Sequence, residues 1–194
     1  MRIAHITDLH ARRELPGTSQ NTKRLSRRIH HMLSKAVDDI CDLNPDLVVI
    51  TGDLLDFPFY GLDDPWFIGR AGGDLRAIEE ILEKIRCPKA VLGGNHDHPD
   101  AMDRVFGGLP NDFVVAGHRV ISFDDREVVS NTPQRLDRQR RQFLDVLTNP
   151  GPLPQIHLQH FVVWPELNEG YPHSYKEAES LINMIVDSGA VLVV

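Results

Sequence analysis

Cysteine is scarce in this chain: 194 residues contain two, Cys41 and Cys87. They follow neither a metal-binding nor a redox spacing, which excludes a disulfide scaffold, a thiolate zinc clamp and a Cys-x-x-Cys centre. Both read as reduced, buried thiols. Long apolar runs are missing too. None approaches the roughly 20 residues that a membrane span requires, and the start at Met1 leaves no room for a signal peptide before a candidate ligand at Asp8. The expectation is a cytoplasmic protein with no membrane association. Basic residues are outnumbered, 21 Lys and Arg against 28 Asp and Glu, for a formal charge of −7. Such a chain exerts no bulk attraction on nucleic acid or anionic lipid, and no feature points to a protein partner. What remains is an ordinary globular composition, 41% hydrophobic and 25% charged, which fits one domain over residues 1–194.

Hydropathy patterning predicts alternating strands and helices. Arg2 to Thr7 reads as a strand, and about Thr22 to Leu43 as a helix with apolar Leu25, Ile29, Leu33, Val37 and Ile40. Its opposite face carries Arg24, Arg27, Arg28, His31 and Lys35, read as a solvated stripe. A strand at Asp46 to Thr51, a helix at about Asp74 to Arg86 and a strand at Lys89 to Leu92 follow. This βαβαβ order implies a parallel sheet with right-handed crossovers. The second half predicts a strand pair around Gly117, a helix opened by Thr132-Pro133 and running to Leu147, and a strand from Gln155 to Gln159. A capping box at Ser174-Tyr175-Lys176-Glu177 opens a last helix closed by Gly189, and a strand starts at Ala190.

Candidate ligands stand where these strands end. Asp8-Leu9-His10 follows the first strand, Gly52-Asp53 the second, Gly94-Asn95-His96-Asp97 the third, and His160 a later one. Carboxyl ends of parallel strands meet along one edge of a sheet, so the four groups predict one shared site. Asp8 and His10, two apart in extended chain, would point the same way. Asp53 has two oxygens with which to bridge cations, Asn95 adds a neutral oxygen, and Asp56 reads as an orienting carboxylate behind the site. Carboxylate, imidazole and carboxamide without thiolate suit divalent ions engaged in hydrolysis. His98, Asp100 and His173 read as surface-loop residues, and His5, His30, His31 and His157 as structural. The aromatics Phe57, Phe59, Tyr60, Trp66 and Phe67, with Trp164, Pro165, Tyr171 and Pro172 after His160, read equally as pocket wall or as loop packing.

The ordered series Asp8-x-His10, Gly52-Asp53-x-x-Asp56, Gly94-Asn95-His96-Asp97 and His160 resembles the calcineurin-like metallophosphoesterase superfamily over nearly the whole chain. The resemblance implies an α/β fold, a four-layer αββα sandwich, with two divalent metal ions (manganese, iron or zinc) at the strand ends. By resemblance Asp8 and His10 bind one metal, Asp53 bridges, and Asn95 and His160 bind the other. His96 would stand by the leaving group, with Asp97 steadying it. The family's last motif, Gly-His-x-His, is missing, and Gly117-His118-Arg119-Val120 lacks its second histidine. The expectation is therefore a domain incomplete at its C-terminus, with its second sheet unfinished and its activity reduced.

The implied reaction is hydrolysis of a phosphate mono- or diester. A metal pair roughly 3.5–4 Å apart would activate water, and His96 would protonate the leaving oxygen. Small size and acidic charge favour a small substrate, and the motif style is similar to that of cyclic-nucleotide-type phosphodiesterases, so the expectation is a small-molecule phosphodiesterase of that type. A phosphoprotein phosphatase, a nuclease and a non-catalytic metal-binding scaffold are the alternatives.

Overall fold

The computed structural model describes residues 1–19, 21, 23–129, 131–164, 173, 175–188 and 191–193. They form two compact units, Met1–Pro110 and Asn111–Val194. Thr22, Pro165, Tyr171, Pro172, Ser174, Gly189, Ala190 and Val194, each part of a reading above, lie outside the described residues.

In the first unit β1 (Ile3–Ile6), β2 (Leu47–Thr51) and β3 (Lys89–Leu92) lie side by side in that order, both pairs parallel. Ile6 pairs with Ile50, and Ile50 with Val91, so the three strands end level. Every residue of β2 is buried, as expected of the central strand in a parallel sheet. The crossovers are α1 (Ile29–Leu43) and α2 (Pro65–Leu82). Leu33 and Val37 of α1 and Leu75, Ile78 and Leu82 of α2 share one core with Val48 and Ile50. A short helix α3 (Pro99–Phe106) adds Ala101, Met102 and Phe106 to it.

Several boundaries differ from expectation. The predicted first helix is shorter: α1 starts at Ile29, preceded by a 3-10 turn at Ser26–Arg28. Arg27 folds back to donate to the carbonyls of Arg12, Arg13 and Gly17 while staying exposed, and the half-buried Arg24 turns from the solvated stripe to Asp56. In the other direction, α2 begins nine residues early. Asp64 caps it by accepting from the Trp66 N–H, with Pro65 in the first turn.

The second unit carries β4 (Asp112–Val115), β5 (His118–Ser122), β8 (Gln155–Leu158) and β9 (Val191–Val193), ordered β4-β5-β8-β9. In this sheet β4–β5 is antiparallel, and β5–β8 and β8–β9 are parallel. The β4–β5 turn uses Ala116 and Gly117 at φ 46 and 76, the double left-handed geometry of tight hairpins. His118, whose Nδ1 lies 2.9 Å from the Ala116 carbonyl, belongs to that turn. The helix expected from Thr132-Pro133 starts later: α4 is Asp137–Thr148, and Thr132–Gln134 is β7, paired with β6 (Arg126–Val129). Proline without an N–H fits the edge of a two-stranded ribbon as well as a helix start. With α5 (Ala178–Ser188), α4 buries Phe143, Val146, Leu181 and Ile185 against Ile121 and Phe123.

Candidate metal centre

The three level strand ends of the first unit run into loops that are bonded to one another. The Asp8 N–H donates to the Gly52 carbonyl at 3.2 Å, and the His10 N–H to that of Asp53 at 2.8 Å. The Ala11 N–H donates to Leu54, and the Phe57 N–H to His96. The chain turns sharply to make these bonds. Asp8, His10 and Asp53 all adopt left-handed backbone, at φ 54, 49 and 51. Asp8 and His10 do converge, but by paired left-handed turns and not by the strand alternation expected from their spacing.

The side chains gather accordingly. His10 Nε2 lies 3.7 Å from Asp8 Oδ1 and 3.5 Å from Asp53 Oδ2. One donor atom from each of Asp8, His10 and Asp53 falls within 4.8 Å of the other two, and the same holds for His10, Asp56 and His96. These separations suit a shared cation. Bonds of about 2.1 Å to a tetrahedral ion place neighbouring donors about 3.4 Å apart. Direct hydrogen bonds would be shorter. His10 is buried and its Nδ1 has no hydrogen-bond partner, while Asp53 is 4% exposed with its Oδ1 accepting from the His96 N–H at 2.8 Å. The donor set therefore fits a divalent cation.

His96 stands with its ring 4.8 Å from that of His10, edge to face, and 5.6 Å from Phe59. Burial pushes its pKa below the ordinary 6.5, against the pull of Asp53. Its Nδ1 faces Asp56 Oδ1 at 3.6 Å. Asp97 steadies this region through the backbone: its carboxylate accepts from Leu54, Leu55 and Gly94 N–H groups at 3.1, 2.8 and 2.9 Å. Burial, then the Asp53 charge, raise its pKa to about 7, opposed by those three donors. Asn95 lies between Gly94 and His96 in the same loop. His160 belongs to the second unit, two residues beyond β8, half-buried with its ring 5.0 Å from Phe161.

Two supporting residues escaped the sequence reading. Arg12 is buried and donates to the Asp56 carbonyl at 2.5 Å and to its carboxylate at 3.1 Å, and Arg24 reaches the other carboxylate oxygen at 3.3 Å. Asp56 is thus an arginine-held carboxylate, consistent with an orienting role. Asp74, fully buried on α2, accepts from the Arg13, Glu14 and Leu15 N–H groups and so ties down the loop after His10. An aspartate in helical register with Ala71, Leu75 and Ile78 was the available signal.

Other expectations divide. His98 is no surface residue: it is 7% exposed, with Nε2 2.9 Å from the Leu62 carbonyl. Asp100 is exposed in the first turn of α3, and His173 pairs with Glu127 at 2.7 Å. His157 is fully buried with Nε2 2.8 Å from Gln155 Oε1, a structural residue as expected. Phe57 packs inside while Phe59, Tyr60 and Trp66 are exposed. The thiol of Cys41 is on the surface, contrary to expectation, and Cys87 is half-buried.

The family model for calcineurin-like phosphoesterases matches residues 1–193. The chain belongs to that family. Among solved structures, it is similar to a dimetal phosphatase from Danio rerio, with TM-score 0.70 and 16% identity over 99% of this chain and 79% of that one. It is also similar to TT1561 of Thermus thermophilus, with TM-score 0.53 and 15% identity over 99% and 80%. The α/β fold is thus that of the metallophosphoesterases. A curated relative from Synechococcus, named "Probable cyclic nucleotide phosphodiesterase", is 23% identical over 72% of this chain and 48% of its own length. A spectinabilin polyketide synthase system protein from Streptomyces orinoci is 32% identical over 38% of this chain and 4% of its own length. The chain thus matches half or less of the length of these curated relatives. No helix among the described residues is long and apolar enough to cross a membrane.

Proposed function

We propose that this protein is a metal-dependent phosphoesterase acting on small phosphodiesters, cyclic nucleotides being the model class. The observation that carries the reading is the convergence of Asp8, His10 and Asp53 donors within 4.8 Å. Family membership supports ester hydrolysis, and the Synechococcus relative supports the diester preference. In this reading Asp8, His10 and Asp53 would hold a cation, Asp53 being the carboxylate able to bridge to a second, and Asn95 and His160 would be further ligands on the family resemblance alone. Manganese, iron or zinc would suit these oxygen and imidazole donors. Bound there, such ions supply Lewis acidity at phosphoryl oxygens and lower the pKa of water.

The chain's own groups do the rest. His96 turns Nδ1 toward Asp56 at 3.6 Å, beyond hydrogen-bond length, and Nε2 is the nitrogen this reading gives to the leaving oxygen. Asp97 fixes the loops that carry Asp53 and His96. Phe59 covers one side of the His96 ring.

The test is metal content by plasma emission spectrometry alongside hydrolysis of bis(p-nitrophenyl) phosphate and p-nitrophenyl phosphate. The expected result is divalent-metal-dependent turnover, faster on the diester. Asp53→Asn should lose both bound metal and rate, because a carboxamide offers one oxygen and no charge. Wild-type metal content and rate in that variant would place the site elsewhere.

A further inference from the structure

Between residues 59 and 66 the first unit exposes Phe59, Tyr60, Leu62 and Trp66, on the loop that follows Asp53 and Asp56. A single exposed apolar residue needs no explanation, whereas a run of them beside a ligand loop does. Tyr60 and Trp66 are engaged with the half-buried Phe67, each edge to face, at 5.3 and 4.9 Å between ring centres. Phe59 has a different neighbour. Its ring, 51% exposed, lies 5.6 Å from that of His96 with the two planes 51° apart. The His96 ring therefore has the candidate ligand His10 as one neighbour and a half-open phenyl ring as another.

The backbone holds Phe59 in that place. The Phe57 N–H donates to the His96 carbonyl at 3.1 Å. Five residues on, the Leu62 carbonyl accepts from His98 Nε2 at 2.9 Å. A carbonyl can only accept, so that nitrogen carries the proton. Residues 57–62 are thus pinned at both ends to residues 96–98. Between the pins the chain makes a 3-10 turn, Phe59–Gly61, in which the Gly61 N–H donates to the Pro58 carbonyl at 2.9 Å. Gly61 is buried against Phe67: a Cβ there would come within 2.6 Å of the ring's Cγ and 3.0 Å of its Cβ, the root of a packed side chain and not a movable tip. A ring presented on so fixed a turn has little freedom left to lose when a ligand meets it.

We infer that Phe59 is a specificity-determining residue that receives a planar ring carried by the leaving group of the ester, and that His98 is its positioning residue. The inference rests on the phosphoesterase reading, which gives His96 to the leaving oxygen. Whatever is bonded to that oxygen then lies beside the His96 ring, on whose flank Phe59 stands. A flat aromatic group can pair with the phenyl ring there, whereas a saturated group of the same size gains only buried area.

The test uses the whole chain with divalent metal, hydrolysing bis(p-nitrophenyl) phosphate in competition with either dibenzyl phosphate or bis(cyclohexylmethyl) phosphate. The two competitors match in charge and nearly in size and differ in flatness. The wild type should show a Ki for the dibenzyl ester about two- to tenfold lower, the range of one aromatic pair. Phe59→Leu keeps an apolar side chain and should erase that preference with bound metal unchanged, while Phe59→Tyr should retain it. His98→Ala should erase it too, and His98→Gln, whose amide can still donate to the Leu62 carbonyl, should restore part of it. A ratio of two Ki values is not moved by a general loss of folded enzyme, which separates positioning from mere structural support.

Equal Ki values in the wild type, or an undiminished preference in Phe59→Leu, would overturn the inference while leaving the phosphoesterase reading intact. A preference lost in Phe59→Leu but kept in His98→Ala would overturn the role of His98. No hydrolysis of bis(p-nitrophenyl) phosphate with any divalent metal would refute the phosphoesterase reading and the inference with it.

Discussion

Asp74 offers the sharpest test of how the metal loop is held. Its carboxylate takes three backbone N–H groups, those of Arg13 at 2.8 Å, Glu14 at 2.5 Å and Leu15 at 3.2 Å. Replacing it by alanine leaves those donors without partners, but not equally. Arg13 and Glu14 are exposed, so water can reach their N–H groups, and each loss is worth about 0.5–1.5 kcal/mol. Leu15 is 0% exposed, and its orphaned N–H costs about 1–3 kcal/mol. A total of about 4 kcal/mol follows, or a fall in Tm of about 8–16 °C for a chain of this size. Asp74→Asn keeps one acceptor oxygen and should fall about half as far. Differential scanning calorimetry measures both, and limited proteolysis between residues 11 and 19 should speed up in step. An unchanged Tm in Asp74→Ala would show that the loop is held by its contacts with Asp56 and Arg27 alone.

Three further outcomes are expected. His96→Ala should keep its bound metal and lose rate, most severely for esters with poor leaving groups; metal lost in parallel with rate would make His96 a ligand. His157 has its pKa lowered to about 3 by burial, then by Arg135 and Arg119, so the unfolded chain binds the proton first as pH falls below 6.5. Stability from this group is full above that pH and declines toward pH 3, by about 2 kcal/mol between pH 7 and 5. In urea denaturation the stability difference between wild type and His157→Gln should change by about that amount between pH 7 and pH 5, a comparison in which the opposite contribution of Asp97 cancels. Arg135 is buried, bonded to Asp125 at 2.8 and 2.9 Å and lying 4.0 Å over the Phe123 ring. Arg135→Met should destabilise by about 3–5 kcal/mol because Asp125 is left charged and dry, and Asp125→Asn in the same chain should recover part of it in chemical denaturation.

The parts of this fold that were legible are those in which hydropathy and geometry repeat. β1, β2, β3 and β8 were visible as short apolar runs, and the candidate ligands were visible because each follows such a run. Residues 65–73 were not, since Gly69, Gly72 and Gly73 disguise the first half of α2 as loop. A Cβ on Gly73 would meet only the Glu14 carboxylate, the far end of an exposed, flexible side chain that can move aside, so the helix packing does not require glycine there. Helix α3 was missed because Pro99 reads as a breaker when its place is the first turn. Arg12 and Asp74 were missed for a different reason. Their partners are backbone atoms and a carboxylate 44 to 61 residues away, and no local pattern encodes such a contact.

The left-handed turns at Asp8, His10 and Asp53 bear on how this site tolerates change. Outside glycine, the residues that enter that region most readily are asparagine, aspartate and histidine. Chemistry and backbone thus ask for the same short list of side chains at all three positions. A glutamate, which keeps the charge, or a cysteine, which keeps the metal affinity, would meet only one of the two demands. Glycine would relax the backbone and remove the ligand. The two demands part only at substitutions such as glycine or asparagine, so a library screened for thermal resistance alone should drift to these and lose its metal as it gains robustness.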